Sequence, residues 1–219
     1  MKSSITLPQV TQVLDALYAD AAKSDPLAHQ AARDSGATRT EADFYKAMSK
    51  AYMSVGRDFG HLLYSLVRST NARTVVEFGT SFGISTIFLA AAIRDNGAGK
   101  VITTEFNPEK AAQAKRNLTH AGLEDWVEFR IGDALATLAP PPSAIDLIFL
   151  DGAKGMYLGV LQLLEPRLRS GGIVASDNTD HDGMESFLAY IRDPDNGYTS
   201  SAILTGGEQD KAHEITIRH

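Results

Sequence analysis

The chain has 219 residues, of which 43% are hydrophobic and 22% charged, a composition typical of a globular protein that buries one core. The absence of cysteine excludes disulfides, zinc-thiolate sites and a cysteine nucleophile. The formal net charge is −6 and the basic residues are scattered, which argues against a nucleic-acid partner. The N-terminal segment lacks the apolar core of a signal peptide, and no apolar stretch reaches the roughly 20 residues that cross a bilayer. We therefore expect a soluble, cytoplasmic, single-domain protein without a membrane partner.

The first 70 residues predict a helical cap. Apolar residues recur at helical spacing over residues 7–22, so we expect a first helix there. Asp25-Pro26 would break this helix, because proline removes a backbone donor and clashes with the preceding turn. A loop around Ser35-Gly36 follows, and helical patterns resume near Ala42 and over residues 59–67.

From Thr74 onward, short β-branched runs alternate with helical patterns. The first unit is a strand over Thr74–Phe78, a glycine turn, and an alanine-rich helix over Ser85–Ile93. Later units have the same order, with strands over Val101–Glu105, Val127–Ile131, Ile145–Leu150 and Gly171–Ser176 and helices from Pro108, over Ala134–Leu138 and over Tyr157–Leu168. Apolar strands that alternate with helices predict a parallel sheet covered on both faces. Residues 202–205 and 215–217 could add a hairpin at the sheet edge.

The turn after the first strand favours one class of cofactor. Gly79 and Gly83 let the backbone approach a ligand without an intervening Cβ. Ser81 stands where a dinucleotide-binding turn has its middle glycine, so a pyrophosphate is disfavoured. The carboxylate of Glu77 would repel a pyrophosphate but attract the ammonium group of a cofactor such as S-adenosylmethionine (SAM). The alternative is that Gly79 only permits a strand–helix turn.

Two further acidic residues follow strand ends, where ligands bind in open α/β sheets. Glu105 can accept hydrogen bonds from both hydroxyls of a ribose, a contact that both NAD and SAM need. It is equally compatible with an exposed glutamate of no function. Asp133 is either the N-cap of the next helix or a wall of an adenine pocket.

The strongest cluster lies at two later strand ends. Asp151 ends one strand and Asp177-Asn178 ends the next, so the sheet should bring them together. Carboxylate and amide oxygens suit a hard cation, with magnesium as the first choice, although helix capping and loop roles are the alternative. Lys154 could take a proton from a hydroxyl, because a nearby divalent cation disfavours its charged form. A surface salt bridge is the alternative for this lysine.

Together these stretches resemble the cation-dependent small-molecule O-methyltransferases, which include catechol and caffeoyl-CoA O-methyltransferases. The resemblance covers roughly residues 51–195. It is carried by Met53-Ser54-Val55-Gly56, the run from Val76 to Ser85, Thr104-Glu105-Phe106-Asn107-Pro108, Phe149-Leu150-Asp151 with Lys154 and Tyr157, Asp177-Asn178, and Phe187-Leu188-Ala189-Tyr190.

The resemblance implies a Rossmann-like fold with a mostly parallel seven-stranded sheet, with residues 1–70 as the helical cap and 71–219 as the core. It also implies methyl transfer from SAM to a hydroxyl oxygen of a small molecule, assisted by a divalent metal, in a homodimer. By this similarity the cofactor would be held by Val55, Glu77, Gly79, Ser85, Glu105 and Asp151, with Asp133 near the adenine. The metal ligands would be Asp151, Asp177 and Asn178, and Lys154 would be the catalytic base.

The chain departs from the catechol enzyme at positions that wall the acceptor. Ala51 and Asp182 stand where that enzyme has a tryptophan and a proline, and Gly152-Ala153 replaces a histidine–tryptophan pair. Its late glutamate has no clear counterpart, although Glu208 is close in sequence. Other hypotheses are a metal-independent methyltransferase acting on nitrogen or another oxygen, a dinucleotide-dependent oxidoreductase, and a SAM-binding protein without catalysis.

Overall fold

A computed structural model of the chain describes residues 3–34, 42–205 and 211–219. The Ser35-Gly36 loop and Glu208 lie outside these described residues. The helices are α1 (Pro8–Asp34), α2 (Ala42–Ala47), α3 (Arg57–Ser69), α4 (Ile84–Asn96), α5 (Pro108–His120), α6 (Ala134–Thr137), α7 (Tyr157–Leu164) and α8 (Glu185–Arg192). The strands are β1 (Thr74–Phe78), β2 (Lys100–Glu105), β3 (Val127–Ile131), β4 (Ile145–Leu150), β5 (Leu168–Ser176), β6 (Tyr198–Thr205) and β7 (Lys211–Arg218).

The strands form one seven-stranded sheet in the order β3-β2-β1-β4-β5-β7-β6. Pairing is parallel from β3 to β5, whereas β7 runs antiparallel to both β5 and β6. The mostly parallel sheet and the C-terminal hairpin predicted from the sequence are therefore confirmed. The hairpin inserts its second strand next to β5 and leaves β6 at the edge.

Successive residues of the central strands supply two separate apolar clusters. Val75 and Phe149 pack with α1, α3 and α4 on one face, whereas Val76 and Leu150 pack with α7 and α8 on the other. This split follows from the two-residue period of a strand, which points neighbouring side chains to opposite faces. The predicted layer of helices on each face of the sheet is confirmed.

The predicted end of the first helix is wrong. Helix α1 continues through Pro26 to Asp34, although proline lacks the donor for one helical hydrogen bond. Contacts beyond the proline compensate for this loss, because the buried Ala32 packs against a cluster that contains Phe44 and Met48. Tertiary packing therefore outweighs the local preference.

The predicted boundary between the helix after β4 and the following strand is also wrong. Helix α7 ends at Leu164, and a 3₁₀ turn over Glu165–Arg167 contains Pro166. Leu168 already belongs to β5, which begins three residues before the predicted start at Gly171. Proline at the first positions of the turn explains why the α-helix does not continue to Leu168.

No helix within the described ranges combines the length and the apolar character needed to cross a membrane.

Gly79, which follows β1, has a backbone that only glycine adopts without strain. Its φ is 103°, and a Cβ at this position would lie 2.6 Å from the carbonyl oxygen of Asp151. Gly97 also has a positive φ, of 81°, but a Cβ there would meet no atom within 4 Å. Substitutions at these two glycines can therefore distinguish the cost of a positive φ from the cost of a steric clash.

We predict that Gly79→Ala lowers the free energy of unfolding by about 3 kcal/mol or more, because left-handed strain and a steric clash add. Gly97→Ala, the matched control, should cost only about 1 kcal/mol because it has the strain alone. Urea denaturation of both variants measures the difference. Equal losses would show that the contact with the Asp151 carbonyl imposes no constraint.

Candidate functional site

Backbone hydrogen bonds that continue past the strands align the carboxyl ends of the parallel strands. Gly132 N donates to Glu105 O at 2.9 Å, and Gly79 N donates to Thr104 O at 3.2 Å. In the same way, Asp151 N donates to Phe78 O at 2.8 Å and Asp177 N donates to Leu150 O at 2.9 Å. The first residues after several strands therefore meet at one edge of the sheet.

A cavity of about 1510 Å³ lies at this edge. It is bounded by the loops after β1, β2, β3, β4 and β5, by part of α1 and α2, and by the segment that precedes α3. The predicted site residues on its surface are Val55, Gly79, Ser85, Glu105, Asp133, Asp151, Lys154 and Asn178. Glu77 and Asp177 are not on that surface but are buried beside it, with 0% and 2% of their surface exposed.

The carboxylate of Glu77 is bonded to three hydroxyl groups. Ser85 Oγ donates to Oε1 at 2.6 Å, and Thr86 Oγ1 and Thr103 Oγ1 donate to Oε2 at 2.6 and 2.5 Å. Burial raises the pKa of Glu77, although these three hydrogen bonds act in the opposite direction. Glu77 thus orients Ser85 at the cavity wall and holds β1, α4 and β2 together.

Glu105 is placed so that each carboxylate oxygen already accepts one backbone donor. Ser81 N donates to Oε2 at 2.8 Å and Asn107 N donates to Oε1 at 2.9 Å. Each oxygen has a second lone pair, and the side chain is on the cavity surface. The carboxylate is therefore fixed in orientation and can still accept a pair of hydroxyls.

The segment that leads to Val55 is held by polar contacts from several elements. The carboxylate of Asp25, in α1, accepts hydrogen bonds from Tyr52 N at 2.7 Å and Met53 N at 3.0 Å. Tyr18 Oη donates to Val55 O at 3.0 Å. These bonds fix the backbone of the segment where it borders the cavity.

A buried lysine also stabilises the segment that precedes α3. Lys110 Nζ donates to Ala51 O at 2.8 Å and lies 3.4 Å from Ser81 Oγ, which itself donates to Tyr52 O at 2.7 Å. Burial lowers the pKa of Lys110, and the nearby carboxylates of Glu105 and Asp25 oppose that effect. Lys110 therefore ties the glycine turn to the segment before α3.

Asp133 fulfils the first of its two predicted roles and is placed for the second. Its Oδ1 accepts from Leu135 N at 2.8 Å and Ala136 N at 3.2 Å, which makes it the N-cap of α6. The side chain also lies on the cavity surface. A capping role and a role as a cavity wall are compatible at this position.

Asp151 and Asp177 lie close enough for each carboxyl group to influence the pKa of the other. Burial, and then the charge of Asp177, raise the pKa of Asp151 well above its usual range. Burial also acts to raise the pKa of Asp177, but His213 and Lys154 outweigh it and the net shift is downward. Asp177 is therefore the carboxyl group of the pair that ionises more easily.

Lys154 lies between this pair and a buried tyrosine. Its Nζ is 3.7 Å from Asp151 Oδ1, 2.6 Å from Tyr157 Oη and 3.2 Å from Asp177 O. Tyr157 Oη in turn donates to Asp177 O at 3.1 Å. Burial, followed by the charges of Asp151 and Asp177, raises the pKa of Tyr157 well above its ordinary value, so this phenol stays protonated and orients the amine.

The donor set at the ends of β4 and β5 fits a hard divalent cation. It offers two carboxyl groups in mutual contact and the amide of Asn178, whose positive φ of 52° is one that asparagine tolerates better than most residues. Oxygen donors of these types are those that magnesium prefers. Among the described residues, no group of three or more His, Cys, Asp or Glu side chains is placed to hold a metal, so a cation here would depend on Asn178 as its third protein ligand.

Comparison with known proteins identifies the family of the chain. A family model described as O-methyltransferase matches residues 37–194, which include every predicted site residue. The chain belongs to this family.

Individual members of the family resemble the chain over much of its length. A catechol O-methyltransferase of Niastella koreensis is 34% identical over 135 residues, which are 60% of this chain and 60% of that protein. The crystal structure of TomG from Streptomyces achromogenes, an O-methyltransferase involved in tomaymycin synthesis and solved with SAM, is 26% identical, covers 76% of this chain and 82% of its own, and has a TM-score of 0.69. An O-methyltransferase structure from Bacillus cereus has a TM-score of 0.75, covers 99% of this chain and 94% of its own, and at 22% identity supports the fold alone.

The positions at which the sequence departs from the catechol enzyme have clear places in the structure. Ala51 is fully buried and is not on the cavity surface, whereas Phe44 and Tyr45 of α2 are. A Cβ on Gly152 would overlap the ring of Phe78, so the glycine there is required by packing. Helix α2 therefore contributes aromatic side chains to the cavity wall.

Sequence patterns missed Asp25, Lys110 and His213 as contributors to the site. Asp25 was identified only as part of a helix break, and Lys110 stands in a polar helix with no local sign of burial. The one available signal for His213 was its place next to Glu214 in a segment that also contains Ala212, Ile215 and Ile217, because polar residues buried in a strand need partners.

The raised pKa of Glu77 predicts a pH dependence of stability. Between the ordinary glutamate pKa of about 4.3 and the raised value, the folded protein holds a proton that the unfolded chain has released. Stability contributed by Glu77 therefore falls as the pH rises through this interval. We predict that the free energy of unfolding of the wild type, minus that of Glu77→Gln, decreases as the pH rises above about 4.

Urea denaturation at a series of pH values measures this difference. A difference that is constant over the whole range would contradict the upward shift at Glu77.

Proposed function

We propose that the protein is a SAM-dependent O-methyltransferase that transfers a methyl group to a hydroxyl oxygen of a small-molecule acceptor, with the help of a divalent cation, magnesium being the first choice. The observation that supports this proposal is that a single cavity contains two sets of groups. The fixed carboxylate of Glu105 lies on one side, and the oxygen donors with Lys154 lie on the other. The chain spans 60% and 63% of the length of two catechol O-methyltransferases that it resembles.

The first set of groups suits the binding of SAM. Glu105 would accept the two ribose hydroxyls, and Asp133 would border the adenine. Val55, Gly79 and Ser85 would surround the methionine part, where Gly79 permits close approach of the backbone. Glu77 would act on the cofactor through Ser85, since its own carboxylate is buried behind that hydroxyl. Bound SAM would supply a methyl group on a positively charged sulfur.

The second set of groups would hold the cation and the acceptor. Asp151, Asp177 and Asn178 would be the protein ligands, and Asp151 also borders the cofactor side. When bound, a divalent cation lowers the pKa of a hydroxyl next to it. Phe44 and Tyr45 would flank the acceptor from α2.

Lys154 would act as the general base. Its Nζ is held by Tyr157 Oη and Asp177 O, so it is oriented before an acceptor arrives. In its neutral form Nζ would take the proton of the acceptor hydroxyl, and bound SAM would supply the methyl group to that oxygen and leave as S-adenosylhomocysteine. The remaining contribution is orientation, because the oxygen, carbon and sulfur must be nearly collinear.

We predict that S-adenosylhomocysteine binds the protein and NAD does not. With SAM and magnesium, the protein should methylate members of a panel of catechols, other vicinal diols and hydroxylated acids. Chelation with EDTA should abolish turnover and leave S-adenosylhomocysteine bound, as measured by calorimetry. Full turnover after chelation would favour a metal-independent methyltransferase, and binding of the cofactor product without turnover on any acceptor would favour a binding protein.

We predict that Lys154→Arg lowers kcat by roughly 100-fold or more, because arginine keeps the positive charge but cannot accept a proton near neutral pH. Its residual rate should rise with pH as the acceptor ionises unaided. The exposed Lys115, changed to arginine, is the matched control and should keep full activity. Near wild-type kcat in Lys154→Arg at pH 7 would show that Lys154 is only an ion-pair residue.

The homodimer and the cytoplasmic location expected from the sequence stay predictions. Sedimentation velocity at several protein concentrations would measure the assembly state.

A further inference from the structure

His213 of β7 contacts a proposed metal ligand from the side that faces away from the cavity. Its Nδ1 lies 2.7 Å from Asp177 Oδ1, and 1% of the residue's surface is exposed. The sheet register explains the contact, since Ser176 pairs with Glu214 in antiparallel β5 and β7. Thr179 N also donates to Ala212 O at 2.9 Å, so the pairing continues past the end of β5.

The imidazole ring is fixed on its other sides. The ring of Phe59 stacks on it with a centroid distance of 3.8 Å and an interplanar angle of 9°. Its Nε2 lies 2.7 Å from Thr205 Oγ1. A ring held by a stacked aromatic face and by a partner at Nε2 cannot rotate away from Asp177.

These contacts determine which nitrogen carries the proton. At 2.7 Å a bare lone pair on Nδ1 would be repelled by the carboxylate oxygen of Asp177, so Nδ1 carries a proton. Within the described residues neither atom has a hydrogen bond of normal geometry. The short distance between these two buried atoms therefore makes each the nearest polar partner of the other.

We propose that His213 is a positioning residue that fixes the carboxylate of Asp177 for cation binding, an inference that rests on the proposed function. His213 engages Oδ1 from the sheet side, while Asp151 and Lys154 act on Asp177 from the cavity side. One carboxylate oxygen is thereby held, and the other is left in a defined orientation. Hydrogen bonds of this kind to metal-ligating groups typically contribute about 10–100-fold in metal affinity.

The test measures binding of Mn²⁺, a spectroscopic substitute for magnesium, by electron paramagnetic resonance in the full-length protein. His213→Leu removes the donor and should weaken Mn²⁺ binding about 10–100-fold, while the Kd for S-adenosylhomocysteine stays within about twofold. His213→Asn places an amide N–H near the position of Nδ1 and should restore most of the affinity. The exposed His219, whose Nε2 lies 2.8 Å from Thr199 Oγ1 in the same hairpin, is the matched control, and His219→Leu should bind Mn²⁺ as the wild type does.

The outcomes separate this inference from the proposed function. A wild type that binds S-adenosylhomocysteine but no Mn²⁺ overturns the proposed metal dependence and this inference with it. A wild type that binds Mn²⁺, together with a folded His213→Leu of equal affinity, overturns the inference alone. If His213→Leu does not fold, His213→Gln replaces it, because its longer amide reaches the Nε2 side of the ring. Equal Mn²⁺ affinities of the Asn and Gln variants would then overturn the inference.

Discussion

The site depends on the backbone hydrogen bonds that continue past the strand ends. At the ends of β1, β3, β4 and β5, a residue just beyond the strand donates to a carbonyl near the end of the neighbouring strand. These bonds align the loops, so carboxylates far apart in sequence, such as Asp151 and Asp177, come into contact. The same alignment leaves no room for a side chain at Gly79, because the carbonyl of Asp151 occupies that space. The positions of the carboxylates at this edge are thus a consequence of the register of the strands.

The alignment brings several carboxyl groups close together, and surrounding residues stabilise them. Three buried carboxyl groups, on Glu77, Asp151 and Asp177, lie near one another in a region of low solvent access, where an uncompensated charge is costly. Glu77 is stabilised by hydroxyl groups alone. The other two carboxyl groups share Lys154 and His213. Lys154 lies on the cavity side of the pair, and His213 lies on the other side.

Much of this arrangement could be predicted from the sequence, because strand ends are local features. Apolar β-branched runs that stop at Glu105, Asp151 and Asp177 indicate both the strands and the residues at the sheet edge. Boundaries next to prolines could not be predicted in the same way. Pro26 remains inside α1 because packing beyond it outweighs a lost hydrogen bond, whereas Pro166 does end an α-helix, and a local pattern does not distinguish the two cases.

Contacts between distant segments account for the rest. The role of His213 depends on β7 lying between β5 and β6, and no local pattern specifies that order. The burial of Glu77 is similar, since its three hydroxyl partners come from a neighbouring strand and a helix. A carboxylate before a glycine turn predicted a ligand contact, but whether its side chain faces the ligand or the interior depends on which neighbours supply donors.

The bonds from Asp25 to the backbone amides of Tyr52 and Met53 limit how this protein can be recombined with its relatives. The N-terminal helices border the cavity, so exchanging them between family members is an obvious way to change acceptor preference. A chimera whose first helix lacked an acidic residue at this place would leave two backbone amides without a hydrogen-bond acceptor. Each amide that stays buried would lower the free energy of unfolding by about 1–3 kcal/mol. The relatives that can supply this helix are therefore those that keep the carboxylate next to the proline, even where the residues of α2 that face the methyl acceptor differ.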